Sequence, residues 1–373
     1  MVIRAFNTEK YEEEKFDEAN KELTKTNLFV SRLMSAMQPI MILIMNALSI
    51  LIIWVGSYEV DYGNMQVGDM MAYIQYTMQI MMAFLMLSMV SIILPRATVS
   101  INRITEVLDK KISIKDPDQP KSLPQNISGE IEFKDVSFKY PGAEDNVLTD
   151  ISFKAMPGQT TAFIGSTGSG KSTLVNLIPR FYDVTEGEIL LNGINIKDIP
   201  LRELRKRIAY VPQKGILFSG TAESNIKYAD EAMSDEKMIW AAKIAQSDDF
   251  IEEKDNQYQF SIAQGGGNVS GGQRQRLSIA RALAAESEAV IFDDSFSALD
   301  YKTDSKLRAT LKKEVDNTVI IVAQRISTIK TAERIIVLDE GRIVGQGTHD
   351  ELMRDCPVYR EIASSQLSKE EVA

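Results

Sequence analysis

Gly165-Ser166-Thr167-Gly168-Ser169-Gly170-Lys171-Ser172 is the stretch that decides the fold. It fits the pattern GxxxxGK[ST], a glycine-rich loop whose backbone N–H groups cradle phosphate oxygens. Such a loop works only between a strand and a helix. Thr160-Thr161-Ala162-Phe163-Ile164 just before it reads as a short buried strand, and the residues from Lys171 onward read as a helix. The helix N-terminus adds its own attraction for anions. In this geometry Lys171 reaches the β and γ phosphates, Ser172 ligates Mg²⁺, and Thr173 follows in the first helical turn. At ordinary glycine frequency, a chance match in a chain of this length is on the order of one per cent.

The rest of the strand pattern agrees with a parallel sheet. Val290-Ile291-Phe292-Asp293, Val319-Ile320-Ile321-Val322 and Ile335-Ile336-Val337-Leu338 are apolar runs of strand length. Continuous apolar runs suit strands buried on both faces. Ile131-Glu132-Phe133 and Val136-Ser137-Phe138 alternate instead, as half-buried antiparallel strands do. Residues 220 to about 286 read as mainly helical.

Composition sets the outer limits. The 373 residues suffice for two or three domains. A net charge of −10 disfavours a nucleic-acid binder, which carries a basic face. One cysteine, Cys356, rules out an intrachain disulfide and a thiol-rich metal site. The only histidine is His349. The first residues are charged rather than apolar, unlike a signal peptide.

Two uncharged runs, about 33–58 and 70–95, are each longer than the roughly 20 apolar residues that cross a bilayer. The loop between them holds Glu59, Asp61 and Asp69 but no Lys or Arg, whereas Lys21, Lys25, Arg32, Arg96 and Arg103 flank the outer ends. The positive-inside rule puts both ends in the cytoplasm. Before the first span, residues 1 to about 30 read as a charged helix with Phe6, Phe16, Ala19 and Leu23 as an apolar stripe. Pro39 is expected to kink the first span. Asn46, Gln75 and Gln79 are polar groups within the spans, suited equally to substrate contact and to helix–helix hydrogen bonds. The spans and their flanks occupy 1–110, which the family resemblance given below makes a partial transmembrane domain. A proline-containing linker covers 111–129, a nucleotide-binding domain 130–368, and a tail 369–373.

With these motifs in order, the chain resembles an exporter-type ABC half-transporter. Val269-Ser270-Gly271-Gly272-Gln273 is one residue away from the LSGGQ signature of that family. Phe138-Lys139-Tyr140-Pro141-Gly142 resembles its A-loop, which implies that Tyr140 stacks on adenine. Val211-Pro212-Gln213 resembles its Q-loop, with Gln213 beside Mg²⁺ and the γ-phosphate. Ser297-Ala298-Leu299-Asp300 resembles its D-loop, and Gly347-Thr348-His349-Asp350-Glu351-Leu352 its ending. The resemblance implies an ATP bound by Gly165 to Thr173 with Tyr140, and sandwiched against Ser270, Gly271, Gly272 and Gln273 of a second half-transporter. It implies Mg²⁺ held by Ser172, Gln213 and Asp293. On this resemblance the two spans would be helices five and six, four preceding helices would be absent, and Met1 would match an internal position. A fragment, a truncated gene model and one piece of a larger protein all fit that observation. The same resemblance implies a multi-pass protein of the cell membrane in contact with lipid, with its ATPase domain in the cytoplasm. It implies a transported small molecule whose identity the sequence does not specify.

Two positions depart from the family. A catalytic Glu is expected after the Walker B Asp293, and Asp294 stands there, one methylene shorter. A switch histidine is expected after Val319–Ala323, and Gln324 stands there. Gln can hydrogen-bond a phosphate but cannot take up a proton as imidazole does. Neutral drift explains one such change more easily than two around one reaction. The pair resembles the degenerate subunit of bacterial heterodimeric multidrug exporters, whose own site turns over slowly and whose signature completes a competent site on a non-identical partner carrying Glu and His. The rival readings are a nucleotide-gated structural or regulatory subunit with little turnover, and a soluble ABC ATPase acting on nucleic acid or ribosomes.

Overall fold

The computed structural model describes residues 2–124 and 128–366. The expected tail 369–373 lies outside the described residues. The chain divides into two compact units, 1–111 and 112–373.

The first unit is a helical hairpin. A short helix, Val2–Ala5, is followed by helices Glu9–Asp61 and Val67–Leu108. The expected continuous helix over residues 1–30 is interrupted, because Asn7 takes φ 52°, a left-handed conformation that Asn tolerates. Phe6 therefore sits outside the long helix and off its stripe. Asp17 and Lys21 pair at 2.6 Å on the solvated side. Both long helices run uninterrupted through Pro39 and Pro95, so the proline breaks neither. Their large apolar side chains, among them Leu43, Trp54, Phe84 and Met86, are exposed on the unit's surface. At the hairpin end Gly56 is buried, and a Cβ there would meet Met70 Sδ at 2.9 Å. Small residues let helices approach in this way. Asp69 Oδ2 accepts from Gln66 N at 3.0 Å and closes the second helix's first turn.

Among its described residues the second unit has twelve strands: β1 Ile131–Phe138, β2 Leu148–Ala155, β3 Thr160–Gly165, β4 Glu186–Leu191, β5 Ile194–Asn195, β6 Ile208–Val211, β7 Gly220–Thr221, β8 Ser261–Ile262, β9 Ala289–Asp293, β10 Thr318–Val322, β11 Arg334–Asp339 and β12 Arg342–Gly347. The six-stranded sheet has the order β12-β11-β3-β10-β9-β6. Its pairs from β11 to β6 are parallel, and only β12 joins antiparallel. Successive residues feed opposite cores. Val290, Phe292, Val319 and Ile321 enter one cluster, with Ala162 and Ile335. Ile291, Ile320, Phe163 and Ile336 enter the other. Burial on both faces is why the sequence of these strands does not alternate.

A four-stranded antiparallel sheet, β2-β1-β4-β5, covers the second cluster. The two alternating segments expected as strands are one strand, β1, with register shifts near Asp135. Asp135 has φ 50° there. The bulge fits because the facing residue is Gly187, where a Cβ would lie 2.3 Å from Asp135 O. Between β6 and β9 lie helices Ala222–Ile226, Asp235–Ile244, Asp248–Glu252 and Gly271–Ala284. The sequence pattern missed the two-stranded ribbon β7-β8 in this helical region, because its strands are two residues long.

Candidate nucleotide site

Four parallel strands end on the same side of the sheet, and each end carries a candidate side chain. β3 leads into the phosphate loop, β6 into Gln213, β9 into Asp293 and Asp294, and β10 into Gln324. Ligands of parallel α/β sheets bind at the carboxyl ends of strands.

The loop is held by close backbone contacts. A Cβ on Gly165 would lie 2.0 Å from Leu338 O, so the strand-to-loop turn admits glycine alone. Gly170, with φ 93°, starts helix Lys171–Leu177 and lies against Leu148. Ser166, Thr167 and Gly168 form the exposed tip, whereas Ser169 is buried. Lys171 Nζ donates to Gly165 O (2.9 Å), Ser166 O (2.6 Å) and Ser169 Oγ (3.3 Å). Burial pulls its ammonium below the usual lysine range, against the opposing pull of Asp294 and Asp293.

The neighbouring oxygens suit a hard cation. Ser172 Oγ donates to Asp293 Oδ1 at 2.9 Å, and Tyr210 Oη donates toward Asp293 Oδ2 at 3.0 Å. Tyr210 also lies 3.0 Å from Asn176 Oδ1, and burial followed by Asp293 holds its phenol well above the usual range. No cluster of three or more His, Cys, Asp or Glu able to hold a metal occurs among the described residues. A hydroxyl and a carboxylate, which leave positions for water and phosphate, are the donor set Mg²⁺ prefers.

Asp294 Oδ2 accepts from two amides, Gln324 Nε2 at 2.8 Å and Gln213 Nε2 at 3.2 Å. Its backbone is left-handed, φ 47°. Burial raises its carboxyl above the usual aspartate range, and the Gln213 hydrogen bond partly offsets this. Gln324 is further fixed from behind, since Gln366 Nε2 donates to Gln324 O (2.8 Å) and Gln366 Oε1 accepts from Ile326 N (2.9 Å). Tyr140 Oη is 2.9 Å from Thr173 Oγ1, and its ring meets Phe138 and Tyr182 edge-on.

The signature segment forms a separate end. Ser270 caps helix Gly271–Ala284: Gln273 N donates to Ser270 Oγ at 3.2 Å and Ser270 N to Gln273 Oε1 at 3.0 Å. The Gln273 side chain is thus used in a capping box. Ser270 and Gly271 are exposed, and a Cβ on Gly271 would meet nothing within 4 Å. Among the described residues no hydrogen bond joins Ser270–Gln273 to the phosphate loop. His349 is buried elsewhere, its Nδ1 2.7 Å from Tyr359 Oη.

Tyr210, Asn176, Gln275 and Gln366 escaped the sequence reading. Tyr210 alone left a signal there, as a hydroxyl in an otherwise apolar strand three residues before Gln213.

Loop, strand-end carboxylates and capped helix are the parts of a P-loop nucleotide-binding domain of the ABC type. Comparison with known proteins agrees. Residues 148–297 match the family "ABC transporter", and residues 1–84 match "ABC transporter transmembrane region". The chain is 46% identical over 369 residues to an uncharacterized ABC transporter ATP-binding protein of Mycobacterium tuberculosis, covering 98% of this chain and 63% of that one. It is 36% identical to an ATP-dependent lipid A-core flippase of Pseudomonas aeruginosa over 99% of this chain and 61% of the flippase. Among solved structures, a bacterial Atm1-family ABC exporter with ATP bound matches with TM-score 0.86 and 30% identity, over 99% of this chain and 65% of that one. The chain belongs to the ABC transporters, with a membrane-spanning helical region and a cytoplasmic ATP-binding domain homologous to those of exporters. It spans somewhat under two thirds of the length of these relatives.

Proposed function

We propose that the chain is the ATP-binding subunit of an ATP-driven exporter, with a slow site of its own and a signature that completes a faster site on a non-identical partner. In this reading residues 1–110 belong to the transmembrane domain, 111–129 to a linker and 130–368 to the nucleotide-binding domain. Lys171 and the loop amides hold the ATP phosphates, Tyr140 contacts the base, and Ser172, Asp293 and Gln213 hold Mg²⁺. The ion, when bound, neutralises phosphate charge.

The observation that carries the reading is the meeting of both family departures at one atom, Asp294 Oδ2, which accepts the Gln324 amide at 2.8 Å. A general base must reach the water it activates. The carboxylate here is one methylene short and is drawn toward two amides, and misplacement by about 1 Å costs on the order of 10²-fold in rate. Gln324 offers that site an N–H donor and no titrating group.

The test is steady-state ATPase of the purified chain alone and mixed with a half-transporter that carries Glu and His at the two positions. Slow turnover alone and a large increase on mixing are expected. Fast turnover by the chain alone overturns the slow-site reading. No increase on mixing turns the assignment toward the regulatory subunit.

A further inference from the structure

Gln275 lies in the signature helix, is 2% exposed and has no place in the nucleotide chemistry described above. Its side-chain amide is used at both ends. Gln275 Oε1 accepts from Gly215 N at 2.8 Å, and Gln275 Nε2 donates to Pro212 O at 3.2 Å. The partners fix the amide's orientation, since a flipped group would face N–H with N–H and C=O with C=O. The two backbone groups flank Gln213, whose own amide reaches Asp294.

A second observation comes from the loop's side. A Cβ on Gly215 would lie 2.9 Å from Gln275 Oε1, 3.0 Å from Arg274 O and 3.2 Å from Gln275 Cα. The 212–215 loop therefore approaches the helix closely enough that a side chain at position 215 would crowd the Gln275 amide and the Arg274 carbonyl. Ser270 caps the same helix five residues upstream.

We infer that Gln275 is a positioning residue that straps the Gln213 loop to the signature helix, so that nucleotide bound at this chain's own phosphate loop changes the presentation of Ser270. The inference rests on the reading of Lys171, Gln213 and Asp294 as one nucleotide site. The physical path is short: Asp294, the Gln213 amide, the Pro212 and Gly215 backbone groups, the Gln275 amide, then a helix. Spatial continuity alone does not establish coupling, so the test must read transmission.

The full chain is reconstituted in lipid nanodiscs with Mg²⁺ and ATP as probe, and hydrogen exchange is followed in residues 211–218 and 270–277. In wild type, ATP is expected to alter exchange in both segments. Gln275→Leu should keep the ATP response in 211–218 and reduce that in 270–277 by about fivefold or more, the lower end of ordinary coupling between sites. Gln275→Glu, when ionised, keeps an acceptor for Gly215 N but sets a carboxylate oxygen against Pro212 O, so its response should also be reduced. Repeating the set with Ser270→Arg removes protection by another chain docked on the helix end. An unchanged response of 270–277 in Gln275→Leu, or a wild-type response in Gln275→Glu, overturns the strap, as does absence of any ATP response of 270–277 in wild type. Lys171→Ala separates the two levels: ATP retention in that variant removes the site reading itself, and the strap with it.

Discussion

The phosphate-loop end and the signature end of the nucleotide-binding unit are built on opposite plans. At the first, the polar groups turn inward. Lys171 binds its own loop, Ser172 and Tyr210 bind Asp293, and two glutamines bind Asp294. At the second, a capping box closes a helix end, and Ser270 and Gly271 remain exposed. The first end depends on tertiary placement of four strands. The second is local, and its free amides carry meaning only against something docked on them. Substitutions should therefore separate binding and stability at one end from activity at the other.

The largest effect is expected at Lys171. Its ammonium is the one cation hydrogen-bonded to the loop carbonyls among the described residues. Lys171→Ala should lower ATP retention by about 100-fold or more, the loss of charge-assisted phosphate contacts in a partly buried site. Equilibrium binding with labelled ATP checks it. Unchanged binding would remove the contrast between the two ends.

Next comes the signature. In the proposed reading Ser270→Arg puts bulk and charge where the helix-end amides would meet a partner's phosphate, at an exposed position. Steady-state ATPase of the mixed complex should fall by roughly 10²-fold, the scale for removing phosphate positioning, while thermal stability changes little. Asp294→Asn should lower the same activity far less. The reverse order would make Asp294 a working base and end the slow-site proposal.

A smaller gain of function sharpens the comparison from the other side. Asp294→Glu with Gln324→His puts a longer carboxylate and a titrating group into one site. Turnover by the chain's own site should rise by roughly tenfold, the lower part of the range for general acid–base assistance. Each single change should do less than the pair, because both side chains meet at one hydrogen bond. Single-turnover hydrolysis of prebound ATP is the measurement.

The contrast also explains what was legible in the sequence. The phosphate loop, the capped signature helix and the buried strands are local patterns, and their residues stand where those patterns put them. The bulge at Asp135 was not legible, because it depends on Gly187 some fifty residues away. The same holds for the site's supports. Gln275, Tyr210 and Gln366 act through partners in distant segments, and no spacing rule marks a glutamine whose two amide ends bind one loop. The helix break at Asn7 turns on a single backbone conformation that the charge pattern does not report. In the sequence the two glutamines near Asp294 stand about eighty and thirty positions away, so only folding reveals that they share one oxygen.

The smallest expected effect tests the buried carboxylate alone. Burial raises the Asp294 carboxyl above its ordinary 3.8. A raised acid binds its proton more tightly in the folded than in the unfolded chain. The folded state is then relatively favoured below 3.8 and loses that advantage as pH rises through the raised value. At neutral pH the ionised Asp294 is thus a net cost, offset in part by its two amide donors. Asp294→Asn keeps an oxygen to accept both amides and removes the buried charge. Its Tm at pH 7 should exceed wild type by roughly 1–3 °C, the shift for a fraction of a kcal/mol in a domain of this size. The difference should shrink as pH is lowered toward 4. Thermal unfolding of both full-length chains across that range decides it. A Tm below wild type at pH 7, or a difference independent of pH, would mean that the carboxylate is stabilised where it stands. That result would weaken the view of the phosphate-loop end as a site strained by its own buried charge.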